Sequence, residues 1–174
     1  MKKLILLLAP FAVTTVIFGT IYGAVQQALR LSANDPQIAI AQDIAEQLNQ
    51  GKTPEEEIGR NVNVDKSLSV GIIISDKAGM PVATSTYISG TVVQVPIGVL
   101  QHSQNHAYHA ITWQPQENVR LASVSTSANN YYVTAVRSLK EVEKRETLAM
   151  ELIGIGWGLS MLGVAVPTLL SKRK

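Results

Sequence analysis

A chain of 174 residues with 46% hydrophobic content has room for two membrane helices and one domain of modest size, but not for two full domains. Its formal charge of +2 sits at the tips, in Lys2 and Lys3 and in Lys172, Arg173 and Lys174; without these, ten basic residues face twelve acidic ones between Gln26 and Leu148. A slightly acidic middle excludes the basic stripe that a nucleic-acid partner requires, and the lack of cysteine excludes disulfides, thiolate metal sites and thiol nucleophiles.

From Leu4 to Leu29 the chain carries no charge, and residues 4–25 are predicted to form a first transmembrane helix, long enough to cross a hydrocarbon core of ~30 Å. Residues 148–170 form the second, uncharged from Leu152 to Leu170. Lys2 and Lys3 with the small residues Gly23 and Ala24 also fit a cleaved signal peptide, but the apolar run exceeds the ~7–15 residues of a signal core. Basic residues flank the outer end of both spans. The positive-inside rule therefore places both termini in the cytoplasm, with 171–174 as a basic tail and 26–146 as a domain outside the cell membrane. Each span holds a Gly-x-x-x-Gly pair, Gly19 with Gly23 and Gly154 with Gly158. Such pairs let helix backbones approach closely, so they are candidates for packing one span on the other or for a homodimer.

Past the first span, Asp35-Pro36 predicts an N-cap and first helical residue, after which Ile38, Ala41, Ile44, Ala45 and Leu48 share one face and Gly51 closes the helix. Thr53 and Glu56 stand at capping-box spacing, which explains Glu55, Glu56 and Glu57 as dipole partners more simply than as a cation site. From Val70 the pattern turns to β. Val70 to Ser75 is a strand covered on both faces, Asp76-Lys77-Ala78-Gly79 a turn, and Pro81 to Thr86 its hairpin partner. Further strands are predicted at Ala107 to Trp113, Val119 to Thr126 and Tyr131 to Arg137. A helical connection around Pro96 to Asn105 precedes them. A charged helix from Ser138 to Glu146 then runs unbroken into the second span.

This order of elements resembles the extracytoplasmic Cache or PDC-type sensor domains, PAS-like folds held between two membrane helices in bacterial sensor kinases and receptors. The resemblance rests on the long helix after the first span, on Gly71-Ile72-Ile73-Ile74-Ser75-Asp76-Lys77-Ala78-Gly79-Met80-Pro81-Val82-Ala83-Thr84-Ser85, and on Val133 to Glu146 leading into the second span. It implies an α+β fold with a mostly antiparallel sheet of about five strands and a ligand pocket between sheet and helical connection. Relatives usually continue into a kinase, cyclase or methyl-accepting module. Here Ser171-Lys172-Arg173-Lys174 closes the sequence, so any signal is expected to pass through a separate membrane or cytoplasmic partner.

A buried pocket uses few polar groups among apolar walls, which makes Tyr87, His102, Trp113, Arg120 and Tyr132 the ligand-binding candidates. Arg120 suits a carboxylate or phosphate, and the rings supply apolar surface. His102, His106 and His109 suggest a metal, but no nearby carboxylate or cysteine completes a ligand set and none is expected; nor is a cofactor. No Ser-His-Asp context, paired-carboxylate motif or glycine-rich phosphate loop marks an enzyme. Two readings stay open: a sensor for a small organic ligand, and a structural or assembly protein whose domain docks another protein.

Overall fold

The structure, a computed structural model, describes the backbone of residues 2–171 and the side chains of residues 8–167; the tail from Lys172 to Lys174 and the Lys2 and Lys3 side chains lie outside the described residues. The apolar runs form the two longest helices, α1 (Lys2–Ser32) and α5 (Lys140–Ser171), and each is long and apolar enough to cross a membrane. Val16, Ile17, Leu152, Leu159 and Leu162 are exposed on them, an apolar surface suited to lipid. Their hydroxyls are satisfied internally: Thr14, Thr15 and Thr20 donate to carbonyls four residues back at 2.8, 2.9 and 2.8 Å, as Ser160 does to Gly156 at 2.8 Å. An unpaired hydroxyl would be costly in hydrocarbon. α5 is unbroken from Lys140, as the sequence predicts.

Two compact units result, one of Met1–Arg30 with Val142–Lys174, the other of Leu31–Glu141. In the helical unit, α1 meets α5 where Phe18 lies against Gly156, with a Cβ built there 3.0 Å from the ring. Trp157 Nε1 donates to Thr15 Oγ1 at 3.2 Å. Gln26 Nε2 donates to Glu146 Oε1, and Arg30 stands 3.9 Å from the same oxygen. A Cβ added at Gly19, Gly23, Gly154 or Gly158 would meet nothing within 4 Å, whereas one at Gly156 would press on Phe18.

The second unit opens with α2 (Asp35–Asn49). Its cap is Asn34, one residue before the expected Asp35, because the Asn34 carbonyl accepts the first helical bond from the Ile38 N–H at 2.9 Å. Ala41, Ile44, Ala45 and Leu48 are buried on the predicted face, and Gly51 ends the helix at φ +97°, a left-handed value that glycine adopts without strain. α3 (Pro54–Glu57) is a single turn in which Glu56 Oε2 accepts the Thr53 N–H at 2.9 Å, as the capping-box spacing predicts.

The strands are β1 (Val62–Asn63), β2 (Gly71–Asp76), β3 (Pro81–Thr84), β4 (Thr86–Ile88), β5 (Thr91–Val92), β6 (His109–Gln116), β7 (Val119–Ala128) and β8 (Tyr131–Ser138). Between β5 and β6 lie α4 (Ile97–His102) and a 3-10 turn, Ser103–Asn105, where the helical connection is expected. Five strands make one antiparallel sheet in the order β3-β2-β8-β7-β6, with the first and last strands of the set, β2 and β8, side by side. The β2–β3 turn closes as predicted: Gly79 donates to the Asp76 carbonyl at 2.9 Å, Met80 N–H to Asp76 Oδ1 at 2.8 Å, and Gly79 takes φ +86°.

The expected second strand of the hairpin does not run to Thr86. At Ser85 the chain leaves the large sheet, and Thr86–Ile88 pairs with β1 in parallel and β5 in antiparallel, a small second sheet that the sequence reading lacks. The departure is pinned by Ile72, whose N–H donates to Ser85 Oγ at 2.9 Å and whose carbonyl accepts the Ser85 N–H at 2.8 Å.

Both faces of the large sheet are covered. α2 seals one, over Ile72, Ile74, Val124, Val133 and Ala135; Ile73, Leu121, Tyr132 and Val136 on the other pack with Val64, Ile88, Val93, Val95 and Leu100. Double coverage explains the continuous apolar run of β2.

Candidate functional site

The sheet face opposite α2 carries a polar seam. Strand alternation sends Ser123 and Ser125 of β7 and Thr134 of β8 to this side, and all three are fully buried. Their hydroxyls are paired: Ser125 Oγ lies 2.9 Å from Thr134 Oγ1, and Trp113 Nε1 donates to Ser123 Oγ at 2.7 Å. The helical connection lies over β6 and β7, and its Gln104 donates through Nε2 to the Tyr132 hydroxyl. Gly79 of the β2–β3 turn touches Ile97 at the start of α4. From the same turn Lys77 reaches back, its Nζ 4.5 Å from the Tyr132 ring centroid and 3.2 Å from Ser127 Oγ. Burial holds the Lys77 ammonium below its ordinary pKa of 10.5.

Three of the five predicted ligand residues therefore gather on or over one face. Tyr132 is fully buried in β8, Trp113 is half-buried in β6, and His102 ends α4. Tyr87 lies in β4 of the small sheet, half-buried, its hydroxyl 3.5 Å from the Thr84 carbonyl. Arg120 is exposed on β7 between the buried Val119 and Leu121, so alternation directs it to the other side of the sheet from Trp113 and Tyr132. It is not placed to meet a ligand bound beside them.

Trp113 also lines a groove of about 230 Å³ together with Ile88, Val93, Gln94, Pro115 and Gln116. Missing from the sequence reading are Gln104, Lys77 and the seam hydroxyls. The serines were visible as an alternating Ser123-x-Ser125-x-Ser127 in an apolar strand, a period-2 signal that puts polar groups on one face.

His109, placed by sequence on a strand beside Ile111 and Trp113, opens β6 and nevertheless meets the other two histidines: its ring centroid is 4.2 Å from that of His102, and His102 stacks on His106 at 4.6 Å. Among the described residues no three ligating side chains converge on a metal position. Hydroxyls, an amide and aromatic rings thus meet under the short connection, paired with one another. An α+β domain with two apolar helices and a polar seam is the class that these features define. Comparison with protein-family models, curated proteins and solved structures finds no match.

Proposed function

We propose that the chain is a membrane-anchored sensor or ligand-binding module: a PAS-like, Cache-type domain held outside the cell between two membrane helices with both termini in the cytoplasm. A small organic ligand binds between the sheet and the helical connection, and occupancy is passed to a separate membrane or cytoplasmic partner. The observation that carries this reading is the polar seam. A sheet sealed on one face by α2 presents Trp113, Tyr132 and buried hydroxyls to a short connection on the other, where Gln104 already acts as a hydrogen-bonding arm. The two long apolar helices support the membrane part of the reading.

A second reading, a docking domain that binds no small molecule, draws on the same seam: its groups are already paired with one another. Thermal melting of the full chain in nanodiscs against amino acids, organic acids and nucleobases separates the two. A ligand at 100 times its Kd stabilises by ~2.7 kcal/mol, which raises the midpoint by roughly 10 °C. A shift lost in Trp113→Ala and Tyr132→Phe supports the sensor; melting unmoved by the whole panel, with a protein cross-linked through the domain surface, supports docking. The homodimer proposal rests on the four glycines whose Cβ positions are open: Gly19→Ile with Gly154→Ile should abolish a cross-linked dimer, and an undiminished dimer refutes that interface.

A further inference from the structure

The helical connection brings the three histidines of the sequence into one cluster. His102 ends α4, His106 follows the 3-10 turn, and His109 opens β6. The His102 and His106 rings stack with planes 9° apart, and His109 tilts by 48° against His102. His106 Nδ1 lies 3.0 Å from the His102 carbonyl, which can only accept, so Nδ1 carries the hydrogen and the neutral ring leaves Nε2 bare. Two stacked rings whose planes are only 9° apart meet far from either ring, so one metal ion cannot lie within bonding distance in the plane of both; the chemistry available to the stack as it stands is that of protons.

Neutral imidazoles stack without penalty, whereas a second proton must be placed within 5 Å of the first. Among the described residues, burial, His102 and His106 are what act on the charge of His109, and no carboxylate is among them. β7 presents the neutral Ser125 opposite His109; β8 presents Tyr132, held by Gln104; the β2–β3 turn presents Lys77 over the Tyr132 ring; and Tyr108, beside His109, is exposed. Every one of these is neutral or positive at neutral pH.

We propose that His102, His106 and His109 form a proton-operated latch, holding the connection of residues 97–108 against the sheet when neutral and releasing it when more than one ring is protonated. The latch stands apart from the identity of any ligand, although it controls access to the same sheet face. Consistent with it, burial, then the charges of His102 and His106, lower the pKa of His109 from the ordinary 6.5. The sign follows by linkage. His109 binds protons more tightly detached than docked, so its contribution to docking is fully present above pH 6.5 and weakens as pH falls below it.

Hydrogen exchange on the full chain in nanodiscs tests the latch, with rates corrected for the intrinsic effect of pH. Between pH 7.5 and 5.0 the protection of peptides covering 97–108 should fall severalfold, in the direction that the lowered His109 pKa sets. Peptides of α2, on the other face of the sheet, should not change. His106→Gln, which leaves the His102–His109 pair, should reduce the response, and His102→Gln with His109→Gln should flatten it, both leaving the α2 peptides protected. Constant protection of 97–108 in the parent, or an equal fall in the glutamine variants, overturns the latch. A fall shared by α2 overturns it too, since that would be general acid unfolding.

Discussion

Gly71→Ala should destabilise the domain through one identifiable contact. A Cβ at this position would stand 2.5 Å from Thr86 Oγ1 and 3.2 Å from Thr86 Cβ, where ordinary contact begins near 3.4 Å. Thr86 cannot easily turn away, being fully buried, β-branched and fixed in β4 between β1 and β5. Overpacking of this kind costs about 1–3 kcal/mol, and the lower entropy of unfolded alanine returns only ~0.4–1 kcal/mol. A net loss of ~1–2 kcal/mol corresponds to a midpoint roughly 4–8 °C lower for a domain of this size. Circular dichroism melts of the full chain in detergent measure it. In a Thr86→Ala background the 2.5 Å contact with Oγ1 is gone and only the 3.2 Å approach to the residue-86 Cβ remains, so the cost of Gly71→Ala should drop by ~1 kcal/mol, a coupling read from the double-mutant cycle. A single variant that melts with the parent, or two substitutions whose effects simply add, would refute the close-contact argument.

Gln37 is fully buried on α2 and neither atom of its side-chain amide has a partner among the described residues, so Gln37→Met should stabilise by ~1–2 kcal/mol in urea denaturation. A loss would mean that the amide is bonded in solution. Trp113→Phe keeps the ring but leaves the buried Ser123 hydroxyl without its donor, for an expected loss of ~1–2 kcal/mol; adding Ser123→Ala should recover part of it in the same assay. Asn118 turns β6 into β7 at φ +61°, so Asn118→Ala should lower stability by about 1 kcal/mol while Asn118→Gly should not, a difference read from melting midpoints.

The elements that the sequence makes legible are those with strong local physics. The charge-free run from Leu4 to Leu29, a left-handed glycine after Leu48, and Asp76 four residues before the Met80 that it caps each have one cheap local solution, and helix, cap and turn are found. Small-sheet pairing is different. Val62–Asn63 and Thr91–Val92 are two-residue strands with no periodicity to read, and their partner, β4, lies in a run that reads equally well as a continuation of β3. Only the tertiary fit of Ser85 and Thr86 over Ile72 and Gly71 decides between them. The candidate site was legible in the same measure. Trp113 and Tyr132 fall on one face by alternation, which the sequence encodes, but Arg120 falls on the other by the same rule, a parity visible beforehand and outweighed by its charge. Lys77 and Gln104 reach the seam from a turn and from the connection, and no spacing rule ties either to Tyr132.

The neighbouring of β2 and β8 sets a timetable for synthesis. Gly71 pairs with Val136, so β2 leaves the ribosome long before the strand that covers its edge exists. At about 5–20 residues per second the wait is roughly 3–13 s, far longer than the microseconds in which a hairpin forms. During it Gly71-Ile72-Ile73-Ile74 is an uncharged, apolar strand with only the short β3 beside it, the kind of edge that recruits other chains. Completion of the sheet then falls just before α5 emerges, so the last strand and the second apolar helix leave the ribosome within a few residues of each other. Slowing elongation between β3 and β8 would lengthen the exposure, and the yield of folded protein would fall with it.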